Sequence, residues 1–319
     1  MTEKHIRLGK EVLSINRSRI RIICICVIVV CASVLARQMI TDYRMDLVSA
    51  KAKINYEEAM ARKKPTPLPT FKPAPTAASA PTAASAPTAA SAPTATPGPT
   101  RTPAVTDTPV PSPTFTPTPT PKVIQPEFAE LRAKYGNDDI VGYLKIPGTS
   151  IDYLVTHSSD NSFYLHYDIN KNASVAGWIF MDYENDVERD DPNTIIYGHN
   201  MKKDIMFHSL RYYQSWDYFD KHRYIVFNTI YENDVWEVFS FYRAEVTFPY
   251  IQVIFPSAEA FDALAAEMQE RSMYDTGVSY KPGDRILTLS TCTNEAEDTR
   301  FVLNARRLSP DEIPADLVP

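Results

Sequence analysis

The chain has 319 residues with 26 prolines, 4 cysteines and a formal net charge of −6, and residues 65–121 hold 17 of the prolines. That leaves residues 122–319, about one domain's worth of chain, to build a core. Charge is divided: residues 1–64 carry 13 Lys and Arg against 6 Asp and Glu, whereas 122–319 carry 18 against 32, a balance that argues against a domain built to neutralise nucleic-acid phosphates.

In chain order, residues 1–19 form a basic tail with Lys4, Arg7, Lys10, Arg17 and Arg19. Residues 20–40 follow as an apolar stretch whose uninterrupted core runs from Ile22 to Ala36. Fifteen residues fall short of the ~20 that cross a bilayer, and Arg21 and Arg37 extend the span by keeping their charges among headgroups. The basic flank orients the N-terminus to the cytoplasm and the rest of the chain outside. An uncleaved anchor is favoured over a signal peptide cut near Val34-Leu-Ala36, and over a lipoprotein at Cys31. In residues 41–64, Met45, Val48, Ala52 and Tyr56 recur at helical intervals, predicting a juxtamembrane helix. Residues 65–121 repeat Ala-Pro-Thr-Ala-Ala-Ser three times and then run into Thr-Pro pairs. A composition so poor in apolar residues predicts a disordered, extended stalk of up to roughly 170 Å.

Within 122–319, Phe128, Leu131 and Tyr135 share a helical face that Gly136 closes. Eight runs rich in Val, Ile, Tyr and Phe then predict strands at 140–146, 151–156, 177–181, 193–197, 223–230, 235–243, 285–291 and 300–306. No regular helix separates each pair, so a closed or nearly closed β-barrel is expected rather than a parallel α/β sheet. Two further helices are predicted on its periphery, at 205–213 and at 257–271, the second capped by Ser257.

Three of the four cysteines lie in the apolar stretch, leaving Cys292 without a disulfide partner in its domain. A lone thiol is either an inert core group or a reactive one. Activation needs a base, and an acyl-transfer site also needs a donor for the developing oxyanion. His199, in Tyr197-Gly-His-Asn200, has the chemistry of the first. Arg300, opening Arg-Phe-Val302, has that of the second, since a guanidinium is never a base. Each has a structural alternative: His157, His166, His208 and His222 compete with His199, and Glu295, Glu297 and Asp298 offer Arg300 an ordinary ion pair. The acidic run Asp182–Asp191 reads as a solvated loop more readily than as a calcium site. There is no phosphate-binding glycine loop and no His or Cys pair at ligand spacing, so neither cofactor nor metal is expected.

Together, Tyr197-Gly-His-Asn-Met201, Leu289-Ser-Thr-Cys292 and Arg300-Phe-Val302 resemble the sortases, the membrane-anchored cysteine transpeptidases of Gram-positive bacteria. The resemblance covers about residues 126–308 and the anchor, and the placement of helices is most similar to class B. It implies an eight-stranded sortase barrel as the catalytic domain of 122–319. Cys292 would be the nucleophile, His199 the acid and base, and Arg300 the donor to the substrate carbonyl. The implied partners are surface proteins bearing a C-terminal sorting signal and a cell-wall amine. Asn294 departs from the Asp that several class B members carry there and is left out of the catalytic set. Two rivals stand beside this reading: another exported cysteine peptidase or peptidoglycan acyltransferase, and a non-enzymatic binding barrel displayed on a stalk.

Overall fold

The computed structural model describes residues 16–62, 122–201, 203–245, 247–292 and 299–317. The expected stalk, most of the basic tail and Asn294 lie outside them. Eight strands close into a barrel: β1 (Ile140–Lys145), β2 (Asp152–His157), β3 (Phe180–Met181), β4 (Asn193–His199), β5 (Tyr224–Thr229), β6 (Asn233–Glu245), β7 (Ile286–Cys292) and β8 (Thr299–Arg307). Around the barrel they run β1-β2-β3-β4-β7-β8-β6-β5. Pairing is parallel between β2 and β3 and between β4 and β7, and antiparallel elsewhere. Closure leaves no open sheet edge.

Strands form where β-branched and aromatic residues alternate or run together, and their inward faces fill the barrel with Leu144, Leu154, Ile196, Phe241, Leu289 and Leu303, all fully buried. The expected eight strands and closed barrel are present. Helix α2 (Pro126–Tyr135) begins on the proline and ends on Gly136 at φ 57°, the left-handed cap that glycine accepts without strain. The other helices are the short α3 (Phe163–His166), α4 (Trp216–Lys221) and α5 (Ala258–Glu270). Ser257 caps α5 by accepting from the Ala260 amide at 3.3 Å. Phe261, Leu264, Ala265 and Met268 then bury against Phe239, Tyr242 and Phe248 in a second apolar cluster outside the barrel.

Two elements differ from expectation. The helix predicted at 205–213 is instead a 3₁₀ helix at His208–Gln214, followed by α4. Lys203, Asp204 and Met206 adopt φ of 64°, 55° and 57°, a left-handed excursion that no right-handed helix contains. The strand predicted at 177–181 contracts to Phe180–Met181, because Gly177 at φ 57° turns the chain sharply where a strand would begin.

The expected span and juxtamembrane helix form one continuous rod, α1 (Asn16–Arg62). From Ile22 to Ile40 its apolar side chains are exposed, whereas Met45, Ala52, Tyr56 and Ala59 are buried in the main core. These four share one helical face. Tyr56 stacks on Tyr143 of β1 with ring centroids 3.5 Å apart and accepts a hydrogen bond from Asn228 of β5 at 2.8 Å.

A buried polar chain ties β4, β7 and β8 together. Thr288 donates to Asn193 Oδ1 at 2.7 Å and accepts from Asn304 Nδ2 at 2.8 Å. Asn193 Nδ2 in turn donates to the carbonyls of Tyr250 and Gln252, both at 3.0 Å. All three side chains are fully buried, so each depends on its protein partners. Thr288→Val keeps the shape of the side chain but leaves an amide oxygen and an amide N–H without a partner. Denaturant unfolding of this variant is expected to show a loss of about 1–3 kcal/mol; an unchanged midpoint would remove the network's role.

Candidate active site

The parallel register of β4 on β7 runs from Asn193 opposite Ile286 to His199 opposite Cys292. Parallel strands end on the same side of a sheet, so the two residues stand side by side where both strands leave the barrel. β8 lies on the other side of β7, antiparallel, with Ile286 opposite Arg306 and Ser290 opposite Val302. Continued by two residues, that register puts Arg300 across from Cys292. Backbone pairing thus collects His199, Cys292 and Arg300 on three adjacent strands at one end of the barrel, with neighbouring strands spaced roughly 4.8 Å apart. For Cys292 only the backbone is described.

Packing beneath His199 is tight. A Cβ on Gly198 would come within 2.5 Å of Ile179 Cδ1 and 2.8 Å of the Phe207 ring, so only glycine lets β4 lie this close to the core just before the histidine. The imidazole is half-buried, with Nε2 3.0 Å from the Leu165 carbonyl oxygen. A carbonyl only accepts, so Nε2 carries the proton and Nδ1 holds the lone pair that can act as a base. The Leu165 carbonyl is itself held in place: at Gly177 a Cβ would lie within 2.7 Å of that oxygen, and the Trp178 amide bonds the neighbouring Tyr164 carbonyl at 2.7 Å.

Burial lowers the pKa of His199 from its ordinary 6.5, against the Leu165 carbonyl, which favours the charged ring; the charge of nearby His166 adds to the lowering. Of the competing histidines only His166 lies near His199, and none is the strand-register partner of Cys292. His208 bonds Asn200 Oδ1 at 2.8 Å, His222 the Pro147 carbonyl at 2.9 Å, His157 ends β2 and His166 ends α3. None of them is paired with Cys292.

Arg300 is half-buried and donates to the Thr299 carbonyl at 3.1 Å. With Asn161, Leu165, Phe180, Tyr197, Phe248, Tyr250, Ile251, Ser290 and Thr291 it lines a cleft of about 280 Å³. Ser290 and Thr291 are committed within it: Ser290 Oγ pairs with the Tyr250 hydroxyl at 3.0 Å, and Thr291 Oγ1 accepts from the Phe301 amide at 3.1 Å. A larger hollow of about 790 Å³ between His208 and Lys221 includes none of His199, Cys292 and Arg300. In the acidic run, Asp182 accepts from Asn161 at 2.9 Å and from Tyr197 at 2.7 Å, while Asp191 accepts from Asn185 at 3.0 Å and from the Asp186 amide at 2.8 Å. These carboxylates fasten the loop to the cleft wall, and no cluster of three metal-binding side chains occurs among the described residues.

Residues 144–308 match the sortase domain family model. The chain belongs to the sortase family. Sortase B of Listeria monocytogenes is 40% identical over 172 residues, covering 53% of this chain and 70% of the relative. Sortase B of Staphylococcus aureus is 33% identical over 185 residues, covering 57% and 75%. A solved structure described as a Staphylococcus aureus sortase B–substrate complex superposes with a TM-score of 0.55 at 32% identity, over 59% of this chain and 87% of that one. This sortase is therefore most similar to class B members.

Sequence motifs had singled out His199, Cys292 and Arg300. They did not point to the Leu165 carbonyl, a backbone group supplied from 34 residues upstream, or to Asn161 and Tyr250 in the cleft. Gly177, directly before a buried tryptophan, was the one visible trace of the first.

The depressed His199 pKa has a definite sign. The unfolded chain takes up this proton near pH 6.5 and the folded one only at lower pH. The contribution to stability is therefore complete above about pH 6.5 and falls as pH drops toward the folded value. An NMR titration should place the His199 midpoint below 6.5, and His199→Gln should flatten the acid side of the stability profile. A midpoint at or above 6.5 would contradict the burial argument.

Proposed function

We propose that this sortase is a membrane-anchored cysteine transpeptidase that cuts a C-terminal sorting signal and transfers the protein to a cell-wall amine. The observation that carries the reading is the in-register pairing that ends β4 and β7 on His199 and Cys292 with β8 bringing up Arg300. Membership of the sortase family and the substrate-bound sortase B relative support it. The apolar half of α1 is long and apolar enough to cross a membrane, in keeping with a catalytic domain outside the cell.

In the proposed reaction His199 Nδ1 takes the proton of the Cys292 thiol, and the resulting thiolate attacks the carbonyl carbon of the scissile peptide, forming a C–S bond and a tetrahedral oxyanion. The Arg300 guanidinium donates to that oxygen as negative charge develops, which is where a fixed donor contributes most. Collapse breaks the C–N bond, and the departing amine takes a proton from His199. An acceptor amine then attacks the thioester, His199 removes its proton, and the thiolate leaves as the new amide forms. The Leu165 carbonyl keeps the ring oriented with Nδ1 available throughout. Tyr197, Tyr250 and Phe248 give the cleft aromatic walls suited to an extended peptide.

The solubilised full chain is expected to cleave a sorting-signal peptide and to pass the acyl group to hydroxylamine. Cys292→Ala and His199→Ala should abolish turnover, and Arg300→Lys should lower kcat by about 10²–10³, the usual cost of losing an oxyanion donor. Full activity in Cys292→Ala would refute the mechanism. Gly177→Ala should lower kcat more than it raises KM, because it displaces the carbonyl that orients the histidine and, of the residues lining the cleft, bears directly on Leu165 alone.

A further inference from the structure

The first helix is joined to the barrel in two ways, covalently through segment 65–121 and non-covalently through side-chain packing. By sequence, the apolar anchor and the barrel are separated by the Pro/Thr/Ala-rich segment 65–121, which suggests a spacer. In three dimensions, the helix that precedes that segment is already packed on the barrel that follows it. We propose that α1 is a single rod that both enters the membrane and seats the barrel. The catalytic unit then sits at the bilayer with its His199 end toward the lipid, and segment 65–121 is an excursion of the chain that leaves this unit and rejoins it, not the element that sets its height. This rests on the membrane reading of the apolar half of α1.

The contacts follow α1 outward from its apolar half. Asp42, two residues beyond the exposed Ile40, pairs with Lys203 at 3.0 Å, in the loop that leaves His199. Met45 is buried, and its sulfur accepts from Ser174 Oγ at 3.1 Å. Ala52 is fully buried, and Lys53 pairs with Asp152 at the start of β2 at 2.8 Å. Asn55 donates to the Tyr135 hydroxyl of α2 at 2.6 Å, Tyr56 stacks on Tyr143, and Arg62 pairs with Glu130 of α2. From Asp42 to Arg62 the rod rises about 30 Å, from the loop after His199 to the first helix of the domain.

This seam is built as core, not as an incidental surface contact. It combines an aromatic stack, four buried apolar side chains on one helical stripe and a hydrogen bond from the buried Asn228, whose geometry a loosely tethered helix would not supply. Burial also drives the Tyr56 hydroxyl well above the ordinary tyrosine pKa, so it stays protonated at any physiological pH. Because α1 is helical without interruption from its apolar half into this seam, the height of the barrel above the membrane is set by helix rise and not by the excursion. The orientation follows from chain direction: the 200–206 loop is joined to the part of the rod nearest the lipid, and α2 to the part farthest from it. A substrate tethered in the same membrane would thus meet the end of the barrel where β4 and β7 terminate.

The decisive experiment inserts a site-specific protease sequence into segment 65–121 of the full chain, expressed in membranes, and follows the 122–319 fragment after cleavage. The fragment is expected to remain with the membranes through a salt wash, and to be released in the Ala52→Arg variant, whose charge is driven into the seam. Release of the unsubstituted fragment on cleavage would overturn the proposal, since that is what a stalk predicts. Before cleavage, the intact chain must fractionate with membranes; if it is soluble, the membrane reading fails on its own. Co-elution of the two cut pieces in gel filtration then still decides whether α1 is seated on the barrel. Orientation is read in vesicles by a fluorescent amino acid placed at position 204, in the loop after His199, or at the exposed position 129 of α2. Lipid-attached quenchers should dim the first more than the second, and equal or reversed quenching would overturn the orientation.

Discussion

The site depends on the in-register parallel pairing of β4 and β7. Parallel neighbours in a barrel need a long crossover, here the 86 residues between His199 and Ile286 that carry β5, β6 and α5. In return, two strand ends emerge side by side. Antiparallel pairing of the same strands would send His199 and Cys292 to opposite ends. The fully buried Asn193–Thr288–Asn304 chain pins the pairing near its start, at the end away from His199 and Cys292, because a shift by one residue would bury those amides without partners.

Around that pairing, the environment of His199 is set by packing. Gly198 lets the strand approach Phe207 and Ile179, Gly177 places the Leu165 carbonyl, and the carbonyl selects the tautomer. Burial then lowers the ring's pKa and so favours its neutral form. The groups that tune the histidine come from three separate stretches of chain, and each acts through backbone position as much as through its own chemistry. Arg300 sits at the cleft on the opposite side of β7 from His199.

The seating of α1 joins the first helix to the barrel through side-chain contacts. One half of the helix exposes its apolar residues, and the other carries a stripe buried in the main core. The Asp42–Lys203 pair links the same helix to the loop that follows His199. Helix, loop and histidine therefore belong to one continuous set of contacts.

Much was written locally. Alternating β-branched and aromatic residues located the eight strands, Pro126 and Gly136 bounded α2, Ser257 announced α5, and the Tyr-Gly-His, Ser-Thr-Cys and Arg-Phe-Val segments picked out the three candidate residues. The stripe of Met45, Val48, Ala52 and Tyr56 also declared a helix with one apolar face. What covers that face was not legible, because periodicity reports that a stripe will be buried and not against what. The left-handed residues at 203–206 went unseen for a related reason: Lys203 and Met206 carry no turn signature, the single Asp204 gives only a weak one, and the turn is closed by the Phe207 amide donating to the His199 carbonyl at 3.0 Å. Strand register, the Leu165 carbonyl beside the imidazole and the cleft wall from Asn161 and Tyr250 are long-range placements. Sequence determined which groups were present and which elements they stood on; tertiary structure alone decided which of them meet, since strand pairing and core packing join residues that no local pattern connects.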